Sequence, residues 1–251
     1  MKYKISTASL LGNRSSNQDS FGVAEEGGAI LLALSDGMAG HDGGKLAADT
    51  FIESALLSFN QTTVYKQDPK LFLEQVISIA HKEILHIGKQ QTPPIQPRTT
   101  CVLCLIMNGS AWWAYVGDSR LYLLRHGLKL IHTVDHSKVE SLFERGEISA
   151  KEKRTHPQRH LLVRCLGVEQ KPPEPTISNH VMLQSGDVML LCSDGLWGPL
   201  IEEQITSGLN QPNLDHAVDF LASQAEKTSY PNCDNISAIA FRWFGKKIET
   251  V

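Results

Sequence analysis

The sequence predicts an α+β fold in which two sheets carry helices on their outer sides. Three features support that reading. Strand-like segments near both ends of the chain enclose consecutive helical ones, an order that suits sheets and helices in separate layers. Asn108-Gly109 and His126-Gly127 each join two strand-like runs, as antiparallel hairpins do. The segments 29–34 and 188–192 are apolar almost throughout, which suits strands covered on both faces.

Residues 3–11 alternate enough for a first strand, and 20–25 and 29–34 follow as a hairpin across Glu26-Gly27-Gly28. Gly37 to Gly44 is too rich in glycine for regular structure and reads as a loop wrapped near a ligand. A helix over 45–59 comes next. Another spans 69–89, with Phe72, Val76, Ile79, Ala80, Ile84 and Ile87 at helical spacing, Asp68 as N-cap and Pro69 at the first position. From Arg98 the period becomes that of sheet, with strands at 99–107, 111–116, 121–125 and 128–133. Residues 137–165 are polar, mixed and weakly helical, an excursion from the core. The proline-rich 171–175 leads back into strands at 177–183 and 187–192. Helices over 201–208 and 214–229 and a last strand over 236–244 complete the chain.

With 251 residues, 41% of them hydrophobic and 20% charged, the chain is long enough for a sizeable core, and one domain over 1–251 is expected. A net charge of −3 and a pI near 6.4 give no sign of a nucleic-acid surface. Lys151-Glu152-Lys153-Arg154 is the densest basic cluster and reads as a solvated helix face. Five cysteines at irregular spacing indicate a reducing compartment. Cys101 and Cys104 form a CxxC, but in a strand residues three apart point to opposite faces, so both read as buried thiols. No apolar run is long enough to cross a membrane and no leader-like segment opens the chain, so a cytoplasmic location is expected.

The chemistry is carried by aspartates. Asp36 and Asp194 each follow an apolar run and precede a glycine; Asp118, in Gly117-Asp118-Ser119-Arg120, and Asp234, in Asp234-Asn235-Ile236, sit in similar settings. Acids at the rims of core strands imply a shared cation, because clustered carboxylates otherwise repel or take up protons. Mg²⁺ and Mn²⁺ suit such oxygen ligands, with the Gly37 carbonyl as a further donor. Two such ions about 3.5–4 Å apart can share a water and aim it at phosphorus. No GxSxG elbow, phosphate-loop cysteine or GxxxxGK[ST] loop offers a rival chemistry.

Arg14-Ser15-Ser16-Asn17-Gln18-Asp19, Asp36 to His41, Gly117 to Arg120, Asp135-His136-Ser137, Ser193 to Trp197 and Asp234-Asn235 stand in the order and spacing of one family. From Lys4 to about Phe244 the chain resembles the PP2C-like (PPM) metal-dependent serine/threonine phosphatases, and most of all their compact bacterial members. The resemblance implies a central β-sandwich of two mainly antiparallel sheets flanked by pairs of helices, with a dinuclear Mn²⁺ or Mg²⁺ centre at one edge. It implies that Asp36 bridges both ions, that Gly37 binds one through its carbonyl, and that Asp194 and Asp234 complete the other. Asp118, with Asp194, would hold a third ion, Arg14 would clamp the substrate phosphate, Asp19 would orient water behind the ions, and Asn235 would steady the same edge.

The activity implied is hydrolysis of phosphoserine and phosphothreonine by metal-activated water, without a phosphoenzyme. Phosphorylated proteins would be the substrates, a bacterial serine/threonine kinase the opposing partner, and a monomer the working form. Residues 138–165 would form a mobile flap, with Lys151, Lys153 and Arg154 toward the protein substrate. Asp135 and His136 read as local structure, His41 as at best a neighbour of the site, and His156 and His160 as poor ligands because Pro157 breaks the helix that would align them. Met38 stands where many eukaryotic relatives carry a histidine general acid, and Ala39 where a glycine is common in bacterial ones. A silent phosphoprotein-binding module and a small-metabolite phosphatase are the alternatives.

Overall fold

The computed structural model describes residues 2–38, 43–168 and 170–245. One sheet has five strands in the order β1 (Lys2–Leu10), β12 (Ile236–Gly245), β11 (Val188–Cys192), β7 (Arg120–Arg125), β8 (Leu128–His132). In the second the order is β10 (Val181–Met182), β6 (Ser110–Val116), β5 (Cys101–Met107), β3 (Ala29–Met38), β2 (Asp19–Glu26), with β4 (Arg98–Thr99) against β3 and β9 (Thr176–Ile177) against β6. The strand pairs are antiparallel throughout.

The apolar runs are explained by layers on both sides of each sheet. Ile30, Leu32 and Leu34 of β3 meet Leu121, Leu191, Ile239 and Phe241 of the other sheet in the sandwich interior. The alternate residues Leu31 and Ala33 face outward onto α1 (Gly43–Gln61) and α3 (Pro69–Gln90). On the opposite side Leu190, Ala238 and Ala240 pack on α7 (Glu202–Leu209) and α8 (Leu214–Ser229). Cys101 and Cys104 accordingly fall into different layers, one under the helices and one inside the sandwich. Burial pushes both thiols up, which keeps them protonated and inert.

Asn108 and Gly109 adopt φ of 55° and 79°, and His126 and Gly127 adopt 52° and 74°, the left-handed pair that a tight hairpin requires. The Asp68 side chain caps α3 by accepting a hydrogen bond from the Leu71 N–H at 3.0 Å.

Several expectations need correction. Ile79 lies on the outer face of α3 and is exposed, so it is not part of the packed stripe. The segment 177–183 is two short edge strands, β9 and β10, rather than one. A further helix, α2 (Val64–Gln67), precedes α3. The helix after the glycine-rich loop begins at Gly43, and residues 39–42, including Ala39 and His41, lie outside the described residues. Asp36 does not end its strand, because β3 continues to Met38. The excursion holds two short helices, α4 (Lys138–Glu144) and α5 (Ala150–Lys153), and buries Val139 and Leu142.

Candidate metal centre

The predicted site residues gather at one end of the sandwich, where β1, β3, β6 and β11 run out and β2, β7 and β12 begin. Asp36 is fixed through its backbone. Its N–H donates to Thr100 Oγ1 at 3.0 Å, and its carbonyl accepts from Thr100 N at 2.9 Å and Thr99 Oγ1 at 2.8 Å. Gly37 donates its N–H to the Gln18 carbonyl at 3.2 Å, and a Cβ there would meet the Gly44 carbonyl oxygen at 2.1 Å. Only glycine fits that approach of strand to helix.

Asp194 opens the short helix α6 (Asp194–Trp197) just beyond β11. The preceding Ser193 donates its hydroxyl to Asp19 Oδ2 at 2.8 Å and accepts from the Ser237 N–H at 3.0 Å. A Cβ on Gly195 would lie 2.0 Å from the Asn235 carbonyl oxygen, so the two motifs are in direct backbone contact. Asn235 Oδ1 accepts from Gln18 N at 2.9 Å, and its Nδ2 donates to the carbonyls of Leu11 and Ser16 at 2.9 and 3.1 Å. One amide thereby shapes the whole loop that presents Arg14.

Asp118 is buried in the turn between β6 and β7, where Gly117 adopts φ 106°. The Trp197 indole N–H donates to the Asp118 carbonyl at 2.9 Å. Arg120 lies 3.4 Å from the centre of the Trp197 ring and donates to both oxygens of Asp135 at 2.7 Å. His136 accepts from Gly117 N at 3.1 Å and stacks on Tyr115, and burial lowers its proton affinity to about 4. Asp135 and His136 are therefore structural, as their sequence setting suggests.

Arg14, Asp36, Gly37, Asp118, Asp194, Asp234 and Asn235 line one cavity of about 550 Å³, and Asp19 lies behind it on Ser193. Asp36 and Asp194 keep part of their surface open to the cavity, yet protein encloses them on every other side. Burial and then mutual repulsion hold Asp36 and Asp118 well above the usual carboxylate range. For the same reasons Asp19 is pushed up to about 7 and Asp194 to about 6. At the rim Arg14 Nη2 donates to Asp234 Oδ2 at 2.6 Å.

The donor set is all oxygen and fits a hard divalent cation. Among the described residues no three His, Cys, Asp or Glu side chains converge into a cage. Asp234 is drawn toward Arg14 instead, and ions of this kind complete their shells with water.

Thr99 and Thr100 were not read from the sequence, and His160 was read only as a poor ligand. His160 lines the cavity although no helix holds it, and Thr99 and Thr100 anchor Asp36 from β4 and the residue after it. Nothing in the local sequence around Thr99 marks it as a partner of Asp36, since that pairing depends on sheet register.

An acid-floored cavity with an arginine at its rim, set at the end of a helix-flanked β-sandwich, suits a cation-dependent phosphohydrolase. Residues 8–233 match the family model described as Protein phosphatase 2C. The Listeria monocytogenes protein named serine/threonine phosphatase stp is 31% identical over 230 residues, covering 90% of each chain. The S. agalactiae serine/threonine phosphatase structure is 27% identical with a TM-score of 0.86, covering 96% of this chain and 99% of that one. The catalytic domain of the phosphatase PstP, solved with two manganese ions, is 28% identical with a TM-score of 0.82, covering 97% and 99%. The chain belongs to the protein phosphatase 2C family and is a serine/threonine phosphatase of that type.

Proposed function

We propose that the cavity holds Mn²⁺ or Mg²⁺ and hydrolyses phosphoserine and phosphothreonine in protein substrates. The observation that carries this reading is the set of desolvated carboxylates around one opening, whose raised proton affinities mark a demand for positive charge. Asp36 would bridge two ions, with the Gly37 carbonyl on one and Asp194 and Asp234 on the other. Asp118 and Asp194 would serve a third. Bound there, the ions would act as Lewis acids on the phosphoryl oxygens and lower the pKa of coordinated water.

This chain's own groups do the rest. The planar fork of Arg14 matches phosphoryl oxygens and reaches the opening from a loop whose shape Asn235 sets. Asp19, held by Ser193, orients water and ligands from behind. Met38 also lines the cavity and has no proton to give to a leaving group. Residues 1–251 act as one phosphatase domain with 138–165 as its flap, working as a cytoplasmic monomer against a bacterial serine/threonine kinase. No helix among the described residues is long and apolar enough to cross a membrane.

The test is turnover of a phosphothreonine peptide, free phosphorylated metabolites and an aryl phosphate by protein stripped of metal and then reloaded. Hydrolysis is expected to require added Mn²⁺ or Mg²⁺, to stop on chelation, and to favour the peptide over the metabolites. Full activity in a sample that elemental analysis shows to be metal-free would overturn the mechanism. A preference for free metabolites would overturn the substrate class.

A further inference from the structure

A second cavity, of about 730 Å³, opens beside the catalytic one and is the larger of the two. One wall is α3 at Glu74, Ile77 and Ser78, and the other is formed by residues 162–165, Val168 and the proline run 171–175. Leu162 lines both cavities, so the two adjoin along the flap. Arg98 contributes from β4, the short strand that pairs with Gly37 and Met38.

The chemistry of this second cavity differs from that of the first. Arg98, Arg164 and Lys171 line it, and among the described residues none of the three forms an ion pair. Arg98 Nη2 donates to Gln96 at 3.1 Å and Arg164 Nη1 to the Glu174 carbonyl at 3.3 Å. The Arg98 Nε is buried with no partner at all. A guanidinium carries five N–H donors, and those turned toward the cavity suit a carboxylate or phosphate oxygen. Glu74 and Glu174 line the same cavity, which leaves one cation in excess. Val163, Val168 and the proline rings supply an apolar surface beside these charges.

The geometry points to a second recognition site, in which a carboxylate- or phosphate-bearing residue flanking the target phosphoresidue of the substrate docks on Arg98, Arg164 and Lys171. This rests on the phosphatase reading above. A peptide segment fits better than a free anion, for the cavity far exceeds one oxyanion and adjoins the catalytic one at Leu162. An extended chain advances about 3.3 Å per residue, so a few residues pass from one cavity to its neighbour. The apolar wall suits the backbone and side chains between.

The experiment uses the full chain with Mn²⁺ and three kinds of substrate. These are a phosphothreonine peptide with neutral flanks, the same peptide with glutamates or a second phosphate on one side or the other, and an aryl phosphate. One acidic peptide is expected to show kcat/KM about fivefold above the neutral one, as for a partly exposed charge contact. The preference is expected to shrink in about 1 M salt, where screening is short-ranged. In the Arg164→Gln/Lys171→Gln double variant it is expected to fall to within about twofold, with the aryl phosphate rate unchanged. Arg98→Gln is expected to do the same, and the double variant decides the matter if Arg98→Gln fails to fold.

No acidic preference in a wild type that turns over the aryl phosphate would overturn the second site and leave the phosphatase reading standing. A preference retained in the double variant, or equal losses on peptide and aryl phosphate, would overturn it too. Loss of the preference on adding inorganic phosphate, with the aryl phosphate rate unaffected, would assign the cavity to a free anion instead. Inactivity of the metal-loaded wild type on every substrate would overturn the phosphatase reading itself.

Discussion

Asp36 and Asp194 lie on the floor of the catalytic cavity and Arg14 and Asp234 at its rim, and the two pairs are held in different ways. Asp36 is tied by its backbone to Thr99 and Thr100, Asp194 follows Ser193, which bonds to Ser237 of β12, and protein encloses both acids, so burial and repulsion raise their proton affinity. The rim pair sits on loops, with side chains 56% and 41% exposed, and satisfies itself by a direct ion pair. A rigid floor with unmet charge demands a cation. An exposed rim pair can part at a cost that solvent keeps small, which on the proposed reading would free Arg14 for an incoming phosphate and Asp234 for an ion.

The sharpest way to break this contrast is Asp36→Asn. A neutral amide is a poor bridge between two dications, and turnover should fall by about a thousandfold or more. Circular dichroism should remain that of the wild type, since the amide no longer needs to be neutralised by a proton. Rates followed over a wide Mn²⁺ titration check it, and near-normal turnover at low metal would move the centre elsewhere.

Next in size is Arg120→Ala, which probes how the floor is braced. Arg120 forks onto Asp135, whose side chain is only 7% exposed, and lies against Trp197, which in turn holds the Asp118 carbonyl. Removing the cation leaves Asp135 buried and unpaired, for a loss of about 3 kcal/mol in unfolding free energy. Arg120→Lys should recover only part of it, because a point charge cannot replace the fork. Denaturant unfolding of both variants measures the difference. A loss below about 0.5 kcal/mol for the alanine variant, the size of an ordinary surface change, would remove the brace from the argument.

The residues of floor and rim were both legible in the sequence, Asp36, Asp194 and Asp234 by their settings and Arg14 by the family resemblance, but the pairing at the rim was not. Asp36 and Asp194 stand out because an apolar run buried on both faces leaves a strong local pattern, and the glycine after each acid marks a close backbone approach. The ion pair of Arg14 with Asp234 joins loops 220 residues apart, and no local pattern encodes it. His160 reaches the cavity from an irregular segment, where neither periodicity nor spacing speaks. The same limit explains the misread 177–183, whose edge strands pair for two residues each and carry little alternation. Ile79 fits the helical stripe by spacing, yet it sits beyond the width of α3 that the sheet covers.

Protonation offers a third handle on the floor. Asp19 is pushed up to about 7, first by burial and then by the charges of Asp194 and Asp234, against the hydrogen bond from Ser193. The folded, metal-free protein therefore binds this proton more tightly than the unfolded chain does. Its contribution to stability is whole below the ordinary value near 3.8 and is lost as pH rises through about 7. Relative to Asp19→Asn, the metal-free wild type should thus weaken steadily between these limits, by up to about 1.4 kcal/mol per pH unit. Added Mn²⁺ should offset the loss at the upper end, where ionised ligands bind it. Unfolding in chelator across that range, for both proteins, checks the slope. A flat difference would mean that the buried acids are already solvated.

The smallest expected effect extends the contrast to the flap, where the three neighbouring cations differ. Lys153 pairs with Glu140 inside the flap and lies over the Phe143 ring, 4.6 Å from its centre. Arg154 donates to the carbonyls of Gly198 and Leu200 at 3.1 and 3.2 Å, tying the flap to the chain just after α6. Lys151 is exposed and makes no such contact. The cluster is exposed at Lys151 and Arg154 and half-buried at Lys153, but Lys153 and Arg154 also make contacts within the protein, so neutralising all three at once would mix a structural loss with any loss of substrate contact. Single variants separate the two. Arg154→Gln removes two hydrogen bonds from a charged donor to the carbonyls of Gly198 and Leu200 and should loosen the flap by about 1 kcal/mol. Faster hydrogen exchange over 138–165 would report that, with a modest fall in activity on a phosphoprotein. Lys151→Gln should leave exchange unchanged, so any fall in phosphoprotein activity it causes, with aryl phosphate turnover intact, belongs to substrate contact. Equal exchange in both variants would mean that the flap is held by Val139 and Leu142 alone, and that its rim, unlike the floor, is braced by packing rather than by polar ties.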